Sequence, residues 1–270
     1  MTEPAQPIDA QRLTLILNDL RMPAIKQTWL DIAARADREG WPAVRFLSVL
    51  AELEVAERAK RRIERHLAEA RLPPGKTLDS FDFAVVPMLS RAQTTALASG
   101  DTWLAKGANL LLFGPPGSGE SHVAAAIGRA LVENSYRVLF ARTTDLVQRL
   151  QAERQSLCLE AAIAKLDRFD LLTLDGISYV TKDQAETSVL FELIAARYER
   201  RSLLITANQP SENGTRCSSH PATTVAAIDR LVHHATIFEM NVESYRHRTA
   251  IGRKNKADQQ PTPEPARPLS

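Results

Sequence analysis

The sequence predicts an α/β fold, a parallel sheet flanked by helices, behind an all-helical N-terminal domain. Three observations predict it. A glycine-rich stretch, Gly114 to Ser121, stands between an apolar run and an alanine-rich helical pattern. From Ala108 onward, short apolar runs alternate with segments of helical period. From Gln11 to Ala70, apolar residues recur at helical spacing with no strand pattern among them.

The chain has 270 residues, enough for one large or two modest domains, and 44% of them are hydrophobic, enough for a real core. The net charge of +2 is close to balance, so any affinity for nucleic acid has to come from local patches. The two cysteines, Cys158 and Cys217, are far apart and fit no metal or disulfide pattern, which reads as a reduced, cytoplasmic protein. No apolar stretch approaches a membrane span, and Met1 to Asp9 lacks a signal-peptide core.

Toward the N-terminus, Leu13, Ile16, Leu17 and Leu20 give a first helix. Pro23 suits the first turn of a second, which carries Ile25, Trp29, Ile32 and Ala33 inward. After Gly40 and Pro42 a long helix runs from about Val44 to Ala70, with Phe46, Val49, Leu50, Leu53, Ala56, Ile63 and Leu67 on its apolar side. Its second half is basic: Arg58, Lys60, Arg61, Arg62 and Arg65, with Arg71 just beyond. Two readings weigh evenly. One is a solvated face laced by pairs such as Glu57–Arg61 and Arg61–Glu64. The other is a surface for the phosphate backbone of DNA. Pro73-Pro74-Gly75 ends the helix and sets the boundary near residue 75. Phe81-Asp82-Phe83 and Trp103 then read as packing residues of a connector.

The sheet domain follows in order: strands at Ala108–Phe113, Arg137–Ala141, Asp170–Leu174, Ser202–Thr206 and Ala235–Met240. Between them lie helical patterns at Ser118–Val132, Asp145–Ala152 with Thr143 or Thr144 as cap, Leu157–Leu166, Gln184–Arg200 and Thr224–Leu231. Lys254 to Ser270 is polar and proline-rich and reads as a disordered tail. Three regions result: a helical domain over residues 1–75, a nucleotide-binding domain over residues 76–253, and a tail over residues 254–270.

Strand, glycine loop and helix form the context of a phosphate-binding loop. In Gly114-Pro115-Pro116-Gly117-Ser118-Gly119-Glu120-Ser121, followed by His122, backbone N–H groups can curl around a β-phosphate, and the helix N-terminus adds its dipole. Ser121 is placed to put its hydroxyl on Mg²⁺. Glu120 stands where a lysine should reach the β- and γ-phosphates. An anion there costs on the order of 4 kcal/mol at about 4 Å and an effective dielectric of about 20, less where water screens the loop.

The apolar run Asp170 to Leu174 delivers Asp175 at a strand end, where a carboxylate can hold Mg²⁺ through water. The next residue is Gly176, where ATPases of this kind carry a second acid that polarises the attacking water. Asn208 ends the fourth strand, where it serves either as a turn residue or to orient a γ-phosphate. Arg230, taken alone, is a surface residue of a helix. His233-His234 has no acid or cysteine at ligand spacing and reads as packing or surface. Tyr245-Arg246-His247-Arg248 with Arg253, Lys254 and Lys256 is a second basic stretch.

In combination, these residues resemble the IstB-like ATP-binding helpers of insertion-sequence transposition, relatives of DnaC-type helicase loaders among the AAA+ ATPases. The resemblance runs from about Leu13 to Ala250. It rests on Arg71-Leu72-Pro73, Lys76-Thr77-Leu78, Phe81-Asp82-Phe83, the glycine loop, Leu171 to Val180 and Phe191 to Arg201, together with Asn208-Gln209-Pro210, Asp229-Arg230-Leu231-Val232-His233-His234 and Glu243-Ser244-Tyr245-Arg246.

The resemblance implies an AAA+ P-loop domain that binds ATP and Mg²⁺ and forms a homo-oligomer on double-stranded DNA. It implies an N-terminal domain that contacts DNA or the cognate transposase, and no membrane partner. Ser121 and Asp175 then hold Mg²⁺, Asn208 senses the γ-phosphate, and Arg230 is a finger acting on a neighbouring subunit. With Glu120 and Gly176 the expected activity is ATP-assisted delivery of a transposase with hydrolysis impaired. The alternatives are a non-enzymatic DNA- and transposase-binding adaptor and a helicase loader of replication. Ser211 to His220 departs from the family as well. Its length is kept while its content changes, the signature a pair of compensating frameshifts would leave.

Overall fold

The computed structural model describes residues 7–177, 184–208 and 229–240, in two units, Met1–Arg65 and His66–Ser270. The expected short helix before Arg230, the segment Ser211 to His220 and the tail lie largely or wholly outside the described residues.

The first unit holds α1 (Pro7–Asp19), α2 (Pro23–Glu39) and most of α3 (Ala43–Ala70). Leu17, Trp29 and Leu50 form its buried centre, with Met22, Ile25, Ile32 and Phe46 packed around them. Leu13, Ile16, Leu20 and Leu53, expected on apolar faces, are exposed. Three helices leave one core line, and only the residues that meet it are covered. Pro23 opens α2, as its fixed φ favours. Buried Glu54 of α3 caps that opening: its Oε2 accepts the N–H groups of Ala24 at 3.0 Å and Ile25 at 3.2 Å. A carboxylate at a helix N-terminus satisfies orphan donors and complements the dipole.

The second unit carries β1 (Asn109–Gly114), β2 (Val138–Arg142), β3 (Leu171–Asp175), β4 (Ser202–Asn208) and β5 (Ala235–Glu239). They pair in the order β2-β3-β4-β1-β5, every pairing parallel. The helices are α4 (Arg91–Ser99), α5 (Glu120–Glu133), α6 (Thr143–Gln155), α7 (Leu159–Leu166) and α8 (Gln184–Arg197). A parallel sheet covered on both faces explains the near-continuous apolar strands. Leu111, Leu172, Leu174, Leu203 and Ile205 face Leu146, Leu150, Ile163, Val189 and Leu193 of α6 to α8. The alternating Leu110, Leu112, Leu171 and Leu204 are fully buried and turn to the other face, where α5 lies.

By sequence, residues 76–107 read as a connector. The structure places α4 there, a helix of Ala, Thr and Gln without an apolar stripe. Among the described residues no helix is long and apolar enough to cross a membrane.

Candidate functional site

β1 ends at Gly114, beside Asn208 at the end of β4 in register. The loop then turns through Gly117 (φ 90°) and Gly119 (φ 105°) into α5. Those left-handed conformations are open to glycine and costly for other residues. Inside the loop, Ser118 N–H donates to Pro115 O at 3.1 Å. Pro116 completes the bend. Ser118 is buried, and its hydroxyl has no hydrogen-bond partner among the described residues. An orphaned buried hydroxyl in a cup of backbone N–H groups suits an anion's oxygen.

Glu120 is also buried, 6% exposed, in the first turn of α5. Its carboxylate is folded back over the strand end: a Cβ on Gly114 would lie 2.7 Å from Glu120 Oε1 and 2.5 Å from Ser118 Oγ. The cup that the glycines build therefore has an acid packed against its wall.

The next residue makes the closest link in the site. Ser121 Oγ donates to Asp175 Oδ1 at 2.6 Å. Thr206 Oγ1 donates to the same oxygen at 2.7 Å and itself accepts the Gly176 N–H at 2.8 Å. Thr143 Oγ1 donates to Asp175 O at 3.0 Å. The sequence suggests Thr143 as a helix cap. Instead α6 begins at Thr143, no side chain caps it, and the hydroxyl fastens the end of β3. Thr206 is a site residue that the sequence does not single out. Strand alternation is the signal available, since Thr206 stands one step beyond Ile205, which pairs with Leu174 just before Asp175.

His122 turns away from the loop. Its Nε2 lies 3.2 Å from Thr77 O and 3.1 Å from Ser80 Oγ, and its ring meets Phe81 edge to face at 5.3 Å. Burial pushes the imidazole pKa down, with the Thr77 bond opposing. Phe81 in turn lies over Gly119, where a Cβ would come within 2.9 Å of its ring. The segment before α4 is thereby fixed against the glycine loop.

Arg230 sits in a helical turn, Asp229 to His233, with its guanidinium 5.2 Å from the centre of the Phe191 ring of α8. Of the basic residues on α3, Arg58, Lys60, Arg61, Arg62 and Arg65 are all exposed, as is Arg71 in the second unit. Arg58 is partly committed inward, to Glu54 Oε1 at 3.1 Å and Arg21 O at 3.2 Å. Arg61 pairs with Glu57 at 3.1 Å, as expected from their spacing.

The donor set fits a magnesium-bound phosphate in two respects. A hydroxyl and a carboxylate converge at the loop, and the cup has an open polar atom. Ser121 and Asp175 could hold the ion. Glu120 does not fit, because an acid replaces the countercharge.

The family of IstB-like ATP binding proteins matches residues 15–252. A relative from Sinorhizobium fredii, named for insertion-sequence ATP binding, is 70% identical over 247 residues, covering 92% of this chain and 83% of its own. One from the Pseudomonas aeruginosa insertion sequence IS21 is 33% identical, covering 87% of this chain and 88% of its own. Among solved structures, the DnaC helicase loader aligns with a TM-score of 0.54 at 19% identity, over 63% of this chain and 98% of its own. DnaA of Aquifex aeolicus bound to AMPPCP gives 0.51 at 17%, over 72% of this chain and 58% of its own. These two show the fold, a five-stranded parallel sheet flanked by helices. With the match spanning nearly the whole chain and the glycine loop, Ser121 and Asp175 in place, the protein belongs to the IstB-like ATP-binding family of insertion sequences.

Proposed function

We propose that this chain is an ATP-binding helper of DNA transposition. It assembles as a homo-oligomer on double-stranded DNA and assists a transposase in the cytoplasm, with ATP hydrolysis impaired. The observation that carries the reading is the hydrogen bond from Ser121 to Asp175 beside an intact glycine loop. The loop amides would bind and orient the phosphates, and Ser121 Oγ and Asp175 would hold a Mg²⁺ ion. When bound, that ion would neutralise phosphate charge. Asn208, at the strand end beside Gly114, orients the terminal phosphate. Arg230 acts on the neighbouring subunit. Gly176 offers no side chain to polarise water. The helical domain, residues 1–75, contacts DNA through Arg58, Lys60, Arg61, Arg62, Arg65 and Arg71. The sheet domain, residues 76–253, holds the nucleotide, and residues 254–270 form the tail.

Buried Glu120 favours a second reading, an adaptor that keeps its DNA and transposase contacts without cycling nucleotide. Sedimentation on duplex DNA with and without Mg²⁺-ATP separates the two. Nucleotide-dependent growth of the complex supports the first, and DNA binding indifferent to nucleotide supports the second. A chain that stays monomeric and off DNA at low salt contradicts both. Co-purification with a replicative helicase instead of a transposase would point to a helicase loader.

A further inference from the structure

His233 and His234 are adjacent in sequence, and read from the sequence alone they suggest packing or surface residues. The fold supplies the acid. Glu199 follows α8, and one ligand atom from each of Glu199, His233 and His234 lies within 4.8 Å of the other two. His234 Nε2 is 3.4 Å from Glu199 Oε1. The two imidazole rings are 4.1 Å apart between centroids. His233 Nδ1 shares a 2.8 Å hydrogen bond with the Tyr198 hydroxyl.

The backbones that carry these side chains are pinned from the same side. Buried Asn109, at the start of β1, donates from Nδ2 to Leu231 O at 3.1 Å and from its backbone N–H to His234 O at 2.9 Å. Its Oδ1 accepts the Leu203 N–H at 3.0 Å. One side chain and its backbone thus hold carbonyls on both sides of His233. Just before it, Gly107 lies so close to Glu199 that a Cβ would stand 2.7 Å from the Glu199 carbonyl carbon. The three groups are presented by fixed backbone, which reduces the ordering cost of assembling a site.

Two imidazoles and a carboxylate, with a position left for water, form a donor set for Zn²⁺ and its neighbours. Mg²⁺ and Ca²⁺ prefer all-oxygen sets. Tyr198 provides the outer hydrogen bond that orients a ligating imidazole. We propose that Glu199, His233 and His234 bind one Zn²⁺-type ion, which ties the turn after α8 to the helical turn carrying Arg230. This site is separate from Ser121 and Asp175 and does not depend on nucleotide. All three ligands are exposed, so the ion can enter from solvent.

The test uses the untagged full chain, titrated with Co²⁺ as a visible stand-in and then with Zn²⁺ in competition. One equivalent should bind with the absorption of a nitrogen- and oxygen-ligated Co²⁺ that Zn²⁺ displaces, and Zn²⁺ should raise the melting temperature. His234→Ala and Glu199→Gln should each weaken binding by about tenfold or more and remove the thermal shift, and Tyr198→Phe should weaken it less. Melting in chelator checks that each variant folds. Unchanged binding in the His233→Ala/His234→Ala double variant, or no saturable Zn²⁺ binding by the wild-type chain at micromolar free ion, would overturn the assignment.

Discussion

Thr206 Oγ1 donates to Asp175 Oδ1 at 2.7 Å, the same oxygen that accepts from Ser121 at 2.6 Å. A hydroxyl buried on β4 therefore sets the orientation of an acid delivered by β3. Thr206→Val keeps the shape, removes one donor to the carboxylate, and leaves the Gly176 N–H without its acceptor. The expected cost is about 1–3 kcal/mol, read as a lower urea midpoint at unchanged m-value. An unchanged midpoint would show that the threonine does not support the site.

Arg197 is fully buried at the end of α8. Its guanidinium donates to Leu166 O and Phe169 O, both at 3.0 Å, and to Ser202 O at 3.1 Å. Burial pulls its pKa down to about 10, with Asp167 opposing, so it stays charged at neutral pH. Arg197→Met should cost on the order of 3 kcal/mol, because each of three carbonyls loses a charged donor. Arg197→Lys should not recover it, since an ammonium cannot match a planar fork. Thermal melts of the two variants decide, and a lysine variant as stable as wild type would contradict the bonding scheme.

Glu69 and Arg137 meet at 2.8 Å. The Arg137 hydrogen bond holds the Glu69 pKa below its usual 4.5, with desolvation opposing. The folded value is depressed, so the contribution is present above pH 4.5 and is lost as pH falls through the folded pKa. Both side chains are partly exposed, which limits the pair to at most about 1 kcal/mol. Glu69→Gln should be less stable than wild type at neutral pH and match it near pH ~3 in urea titrations. A gap that widens in acid would reverse the assignment.

If the basic face of α3 contacts DNA phosphate, affinity should fall steeply with salt. Lys60→Ala should then lower the slope of log K against log salt by roughly 0.9, without changing sequence preference. A salt-insensitive affinity would rule out this face and leave the helix-surface reading of Arg58 to Arg65. The ion pairs Arg58–Glu54 and Arg61–Glu57 show how much of that reading is already present.

The strands are legible in the sequence because each carries an apolar run suited to a parallel sheet, buried in β1, β3 and β4 and only partly covered in edge strand β5, and their observed ends fall within a residue or two of the expected ones. The glycine loop is legible because its conformation demands glycine at fixed positions. Three features are not. α4 lacks an apolar stripe, so its composition reads as loop. The capping of α2 by Glu54 joins residues thirty apart in sequence, and the approach of Glu199 to His234 joins two segments through β1. Contacts of that kind are set by topology, and residue type alone does not announce them. Glu120 is the reverse case: its identity is plain, and the structure adds that it is buried against Gly114.

Glu120 carries the central claim, that a cup built for a triphosphate now has an acid where its countercharge belongs. Equilibrium ATP affinity of the wild-type chain and its Glu120→Lys variant, in Mg²⁺ and with folding checked by melting, tests this most directly. The account predicts that the lysine variant binds tighter by roughly tenfold to a thousandfold. Equal affinities would contradict it.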